Sequence, residues 1–66
     1  MKNTLKIERA IQNITQDELA REIGVSRQAI NSIELNKFIP STALALKLSA
    51  FFGKTVNELF TLEEND

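Results

Sequence analysis

Residues 15–34, TQDELAREIGVSRQAINSIE, carry the strongest structural signal in the chain. Thr15 and Glu18 have the spacing of a capping box, in which a hydroxyl and a carboxylate each satisfy a free backbone N–H at a helix start. Gly24 follows where the backbone must turn, because glycine enters the left-handed region at little steric cost. Ser26 then offers a second helix cap. The segment predicts two short helices joined by a tight turn, at about 16–23 and 27–35.

The apolar residues of these two helices repeat at helical spacing and predict one inward face, made of Leu19, Ala20, Ile23, Ile30 and Ile33. Val25 lies in the turn and can fill the corner between the helices. The second helix is left with an outward face of polar side chains, namely Arg27, Gln28, Asn31 and Ser32. Such a face is suited to the edges of DNA bases. Polar residues opposite an apolar stripe are more commonly a solvated surface, so that alternative stays open at this point.

The composition limits how the fold is stabilised and which chemistry it can perform. The chain has 66 residues with no cysteine and no histidine, so disulfides and the usual zinc sites are excluded, and we expect no metal and no cofactor. Stability must come from apolar packing, with dimerisation as a further source. Without a histidine, a cysteine or a phosphate-binding glycine loop, we expect no catalytic residues and no enzymatic activity.

The net charge of −1 is unusual for a protein that binds nucleic acid, but the acidic residues are unevenly distributed. Three of the nine lie in the tail, which leaves eight basic and six acidic residues over positions 1–62. A mildly basic body neither requires nor excludes a nucleic-acid partner. No signal peptide is recognisable, and the most apolar stretch is short and interrupted by Lys47. We therefore expect a cytoplasmic protein with no membrane partner.

Three further helices are predicted outside the central pair, at about 6–12, 42–52 and 56–60. The start of the first is left open, because residues 3–7 alternate polar and apolar and also fit a short strand. Ser41 caps the second of these helices, and Thr55 with Glu58 repeats the capping-box spacing before the last one. The polar tail, 61–66, is expected to fray. The pattern predicts an all-α fold, a compact five-helix bundle that forms a single domain over residues 1–66.

Several segments together resemble the phage-repressor and Cro type of helix-turn-helix, the xenobiotic-response-element family of bacterial transcriptional regulators. The resemblance covers roughly residues 5–60 and rests on TQDELA, IGVSRQAI, INSIE with the basic loop that follows, PS before the fourth helix, and VNELF near the end. It is strongest with compact stand-alone members of about this length. The resemblance implies a lambda-repressor-like DNA-binding domain, in which the termini can add a small antiparallel sheet. It also implies a homodimeric repressor, nucleoid-associated in the cytoplasm, that binds a two-fold related double-stranded DNA operator.

The resemblance also implies roles for individual residues. Base reading would belong to the start and outer face of the third helix, at Arg27, Gln28, Asn31 and Ser32. Contacts with the DNA backbone would come from Gln16, Ser26, Asn36, Lys37 and Lys6, and Gln16 would also brace Gln28. Arg9 and Glu34 match a pair that ties the first helix to the third. The chemistry agrees, because arginine can read guanine while glutamine and asparagine can read adenine.

The apolar residues near the C-terminus exceed what so small a bundle readily buries. We expect a dimer contact to include some of them, namely Val56, Leu59, Phe60 and Leu62, although core packing is the alternative for each. An interaction module, such as the antitoxin of a toxin pair, is a different function for the same chain. Its main work would be done by an apolar surface near Phe60.

Overall fold

A computed structural model describes residues 1–66. Five α-helices follow one another along the chain: α1 (Leu5–Gln12), α2 (Gln16–Ile23), α3 (Arg27–Glu34), α4 (Thr42–Phe52) and α5 (Val56–Leu59). Two short strands, β1 (Lys2–Asn3) and β2 (Phe60–Thr61), pair in antiparallel fashion and join the two ends of the chain. The five-helix bundle and the small terminal sheet are thereby confirmed.

Two capping boxes set the starts of α2 and α5. Thr15 Oγ1 accepts a hydrogen bond from the backbone N–H of Glu18, and Glu18 Oε1 accepts one from the backbone N–H of Thr15, each at 3.0 Å. Thr55 and Glu58 form the same reciprocal pair at 2.9 and 3.1 Å. Each box satisfies two backbone donors that a helix start leaves free. Both starts therefore follow from four residues of local sequence.

Three helix boundaries differ from the prediction. α1 begins one residue early, because the side-chain oxygen of Asn3 accepts the backbone N–H of Leu5 at 3.2 Å. α3 ends at Glu34, since the next residue has a ψ of 5°, outside the helical range. α5 ends at Leu59, because Phe60 is extended and pairs with Asn3 in the sheet. Residues of the sheet therefore set the start of α1 and the end of α5.

The prediction that the tail frays was wrong. Its acidic residues fold back onto the start of the chain, where the Met1 ammonium lies 3.1 Å from Glu63 Oε1 and 3.1 Å from Asp66 Oδ2. The hydrogen bond to Asp66, followed by that to Glu63, raises the pKa of the Met1 amino group. Ion pairs at an exposed site add little stability. The contact between the tail and Met1 therefore stabilises the fold only slightly.

The core is one apolar cluster to which all five helices and β2 contribute: Leu5, Leu19, Ala20, Ile23, Ile30, Ile33, Leu44, Leu48, Phe52, Leu59 and Phe60. Three of these side chains come from α4, which packs against α2 and α5. None of the five helices combines the length and the apolar character that a membrane crossing requires. Packing in the core holds the inner face of α3 against the bundle, and the outer face of α3 stays exposed.

Candidate nucleic-acid interface

A three-residue turn sets the angle between α2 and α3. Gly24 has a φ of 87°, and its backbone N–H donates to the carbonyl of Ala20 at 2.8 Å. The N–H of Val25 donates to the same carbonyl at 3.0 Å, which closes the end of α2. Ser26 Oγ then accepts the N–H of Ala29 at 3.1 Å and starts α3. Only a residue without a Cβ adopts this φ without strain, so Gly24 is required for the turn.

The two faces of α3 differ as the sequence predicts. Ile30 and Ile33 are 0% and 1% exposed and belong to the core. On the opposite side, the side chains of Arg27, Gln28 and Asn31 are exposed, and Ser32 is half-buried. α3 therefore presents a row of polar groups on an outer surface of the bundle.

Three shallow recesses show which of the expected DNA-contacting residues lie together. One of about 130 Å³ is lined by Arg27, Gln28 and Asn31. A second of about 280 Å³ is lined by residues that include Ser26, Gln28, Ser32 and Lys37. A third of about 560 Å³ brings Gln16 and Arg27 together beside the turn between α1 and α2. The recesses share residues and so form one continuous polar surface, which we call the reading surface.

The start of α2 borders the reading surface. The first backbone N–H groups of a helix lack partners within it and carry partial positive charge, which suits an anion such as phosphate. Arg9 and Arg27 line the recess at this helix start, together with the carboxylate of Asp17. Gln16 occupies the first position of α2 and its side chain is half-buried. The backbone N–H groups of this helix start are compatible with a phosphate contact, whereas both amide hydrogens of the Gln16 side chain are already donated within the chain.

Arg9 and Glu34 form an ion pair that joins α1 to α3. Arg9 Nε donates to Glu34 Oε2 at 2.6 Å, and Arg9 Nη2 donates to Glu34 Oε1 at 2.9 Å. Gln16 Nε2 donates both to Glu34 Oε1 at 3.1 Å and to Asn31 Oδ1 at 3.0 Å. The expected brace between Gln16 and Gln28 was therefore wrong: Glu34 is a stronger acceptor, and it draws the Gln16 amide toward the far end of α3.

The electrostatics of this pair keep both groups charged. Burial of the Glu34 carboxylate raises its pKa, but the hydrogen bonds from Arg9 and Gln16 and the charges of Arg9 and Lys6 outweigh that effect, so the pKa lies below its ordinary value. The hydrogen bond to Glu34 raises the pKa of Arg9. Glu34 is therefore an ionised carboxylate at neutral pH, and its oxygens only accept hydrogen bonds.

The remaining candidates for backbone contact lie at the margin of the reading surface. Lys6 is exposed on α1, and its charge acts on Glu34. Asn36 has a φ of 61° and ends the turn after α3, as predicted for a left-handed stop. Its side-chain oxygen accepts a hydrogen bond from Asn3 Nδ2 at 3.1 Å, so this side chain serves the fold. Neither residue lines a recess with the base-reading candidates.

Asn3 is a supporting residue that sequence reasoning missed. Its Nδ2 donates to the carbonyl of Ile33 at 2.7 Å and to Asn36 Oδ1, which ties β1 to the end of the helix that carries the reading surface. The partners are 30 and 33 residues away in the chain. No local pattern signals such a contact, because it depends on the sheet that joins the termini.

The expected dimer residues need a correction. Leu59 and Phe60 are 0% and 6% exposed and belong to the core, so their side chains offer almost no surface to a second copy. Val56 is half-buried against the same core, whereas Leu62 is 76% exposed. Pairing of β2 with β1 turns Phe60 inward, which sequence periodicity did not reveal.

Comparisons with known proteins agree with this geometry. The family model described as helix-turn-helix matches residues 5–59. An uncharacterized HTH-type transcriptional regulator of Methanocaldococcus jannaschii is 47% identical over 66 residues, which span the whole of both chains. A second one, from Bacillus subtilis, is 38% identical over the full length of both. An HTH-type transcriptional activator of Enterococcus faecalis is 40% identical over 52 residues, which are 79% of this chain and 26% of that protein. The chain therefore belongs to the Cro-type helix-turn-helix family of DNA-binding transcriptional regulators.

Proposed function

We propose that this protein is a homodimeric repressor that binds a two-fold related operator with α3 in the major groove. The observation that carries the proposal is the division of α3 into an inner face fixed in the core and an outer face of exposed donors and acceptors. Arg27 and Gln28 lie in its first turn, which enters the groove in docked helix-turn-helix proteins. Asn31 and Ser32 follow one turn later.

The short reading helix supports a dimer. Eight residues of α3 span about 12 Å, so one copy reaches only a few base pairs. Two copies related by a two-fold axis place their reading helices about 34 Å apart, one turn of DNA, and double the discriminating contacts. Leu62 and the exposed part of Val56 are the members of the expected dimer set that remain accessible to a second copy.

Repression requires only occupancy of the operator. A bound dimer excludes other proteins from the same DNA, so the reading surface and a dimer contact suffice for it. Such a regulator works in the cytoplasm on the nucleoid, and it needs neither cofactor nor catalysis. The Enterococcus relative is named an activator, so the direction of regulation is tested on the promoter once the operator is known.

Selection of bound sequences from a random duplex pool, at a fixed moderate salt concentration, tests the proposal. We expect an enriched two-fold motif with half-sites about one turn apart. The double variant Arg27→Ala, Gln28→Ala should bind that motif more than about tenfold more weakly, because it loses two base-reading side chains. Lys47→Ala is the control, since Lys47 is an exposed cation on α4 that lies outside the reading surface. Unaltered binding by the double variant contradicts the proposed use of α3.

The interaction module is less well supported than the regulator. It requires an apolar surface near Phe60, and that side chain is 6% exposed. The same selection separates the two functions, because an interaction module enriches no motif. Sedimentation equilibrium across a range of protein concentrations tests the dimer, and Leu62→Glu is expected to shift the equilibrium toward the monomer.

A further inference from the structure

The hydrogen bonds that start at Arg9 run through Glu34 and Gln16 and end on Asn31, a residue of the reading surface. Each step has a fixed direction. The Arg9 guanidinium only donates, and the Glu34 carboxylate only accepts. The Gln16 atom that lies 3.1 Å from Glu34 Oε1 must therefore be its NH2 group, because an oxygen there would face the carboxylate without a proton between them.

The second hydrogen of the Gln16 NH2 group fixes the Asn31 amide. It is directed to an atom of Asn31 at 3.0 Å, and that atom must be Oδ1, since two NH2 groups cannot share one hydrogen bond. With Oδ1 held toward α2, the other branch of the amide, Nδ2, makes no hydrogen bond within the chain. Asn31 is exposed and lines the recess that it shares with Arg27 and Gln28. Its free donors therefore face the reading surface.

We propose that Gln16 is a positioning residue that sets DNA specificity by holding Asn31 as a hydrogen-bond donor toward the major groove. A donor there needs an acceptor on the base edge, which guanine presents as O6 and N7, thymine as O4 and adenine as N7. Cytosine presents only its N4 amino group, which cannot accept a hydrogen bond from an amide donor. Asn31 thus excludes cytosine at one position of each half-site, instead of reading adenine with both atoms of its amide.

This inference rests on the proposed function, and the random duplex selection is designed to separate the two. The wild-type protein should deplete cytosine by about fivefold relative to the other three bases at one position of each half-site. Asn31→Ala should abolish the preference at that position and leave the other positions as they are, which identifies the position.

The Gln16 variants test the polarity. Gln16→Glu combined with Glu34→Gln lets the amide of residue 34 donate to residue 16 and places an acceptor beside Asn31, so the Asn31 amide should turn over and the preference at its position should change to adenine or cytosine. Gln16→Ala removes the restraint and should leave a mixture of all four bases there. Lys37→Ala is the matched control, because it removes an expected backbone contact outside the network and should weaken all sequences alike. Thermal unfolding of each variant verifies that the fold is retained.

The outcomes are distinct. A changed preference at the Asn31 position alone supports the inference. Equal weakening of all sequences by Gln16→Ala, with the wild-type depletion of cytosine kept, overturns it and leaves the proposed function standing, as does a wild-type preference for cytosine or for adenine alone at that position. A pool in which the wild-type protein enriches no motif overturns both.

Discussion

α3 and α4 both contribute to one core, but they are held in it by different forces. α4 contributes Leu44, Leu48 and Phe52 and is capped by Ser41, and its main contacts are apolar. α3 contributes only Ile30 and Ile33, and the rest of its attachment is polar, through Glu34 and the backbone of its last turn. A helix that must expose a polar face has fewer side chains to bury, and charged hydrogen bonds supply the remaining restraint.

The difference has a consequence for function. Apolar packing fixes the position of α4, but it does not orient the hydrogen-bonding groups on the outer side of that helix. The polar attachment of α3 fixes both the helix and the direction of the donors on its reading surface, because hydrogen bonds have polarity. Substitutions in α4 should therefore change stability alone, whereas substitutions at the attachment of α3 should change stability and recognition together.

The largest effect is expected from Leu48→Ala in α4. Leu48 is 0% exposed, so its truncation leaves a cavity in the core and should lower the free energy of unfolding by about 2–5 kcal/mol. Leu46→Ala on the same helix is the matched control, since Leu46 is 58% exposed and should change stability by less than about 0.5 kcal/mol. Urea unfolding measures both. Equal losses in the two variants would mean that α4 is not held by its buried face.

A smaller and pH-dependent effect is expected from Glu34→Gln at the attachment of α3. The variant loses charged hydrogen bonds at a side chain that is 5% exposed, which should cost about 2 kcal/mol at neutral pH. The folded pKa of Glu34 lies below its ordinary value of 4.5. Its contribution is therefore present above pH 4.5 and is lost as the pH falls through the folded pKa.

Unfolding free energies of wild type and Glu34→Gln, measured from pH 7 to pH 2.5, test this sign. The two curves should converge in acid, because the protonated wild-type carboxyl and the amide are then both neutral. Glu22→Gln serves as control, since Glu22 is exposed on α2 and forms no ion pair. Glu58 also has a lowered pKa, caused by the backbone hydrogen bond from Thr55, but it is present in all three proteins and cancels in the differences. A gap that stays constant with pH would contradict the assigned role of Glu34.

The sequence predicted the helices well because their ends are decided locally. A capping box occupies four residues, and Gly24 and Gly53 stop their helices through their own backbone conformations. The same local rule failed at Phe60, which follows a complete capping box and yet is a strand residue. Its conformation is set by pairing with Asn3, 57 positions earlier, so no window of nearby sequence contains the cause.

The reading surface likewise combines features that local sequence determines with features that depend on the whole fold. An outward polar face on α3 follows from helical periodicity, which places Arg27 and Asn31 opposite Ile30 and Ile33. The partner of Gln16 does not follow from periodicity, because the angle between α2 and α3 decides whether its amide reaches Gln28 or Asn31. Sequence thus indicates which residues are exposed on the outer face of α3, whereas the fold decides which hydrogen-bonding atom of Asn31 is held by Gln16.

The smallest effect is expected from Lys37→Ala, which tests an expected contact with the DNA backbone. Lys37 is exposed in the loop after α3 and lines the same recess as Gln28 and Ser32, so a phosphate is within its expected reach. Removing one phosphate contact should lower the slope of log K against log salt by about 0.9, which corresponds to about 1 kcal/mol near 0.15 M salt. The loss should be equal for all sequences, because phosphate carries no base identity. Lys47→Ala on α4 should leave the slope unchanged, since Lys47 is exposed outside the reading surface. If Lys37→Ala instead altered base preference, Lys37 would take part in base reading, and its assignment as a phosphate contact would be wrong.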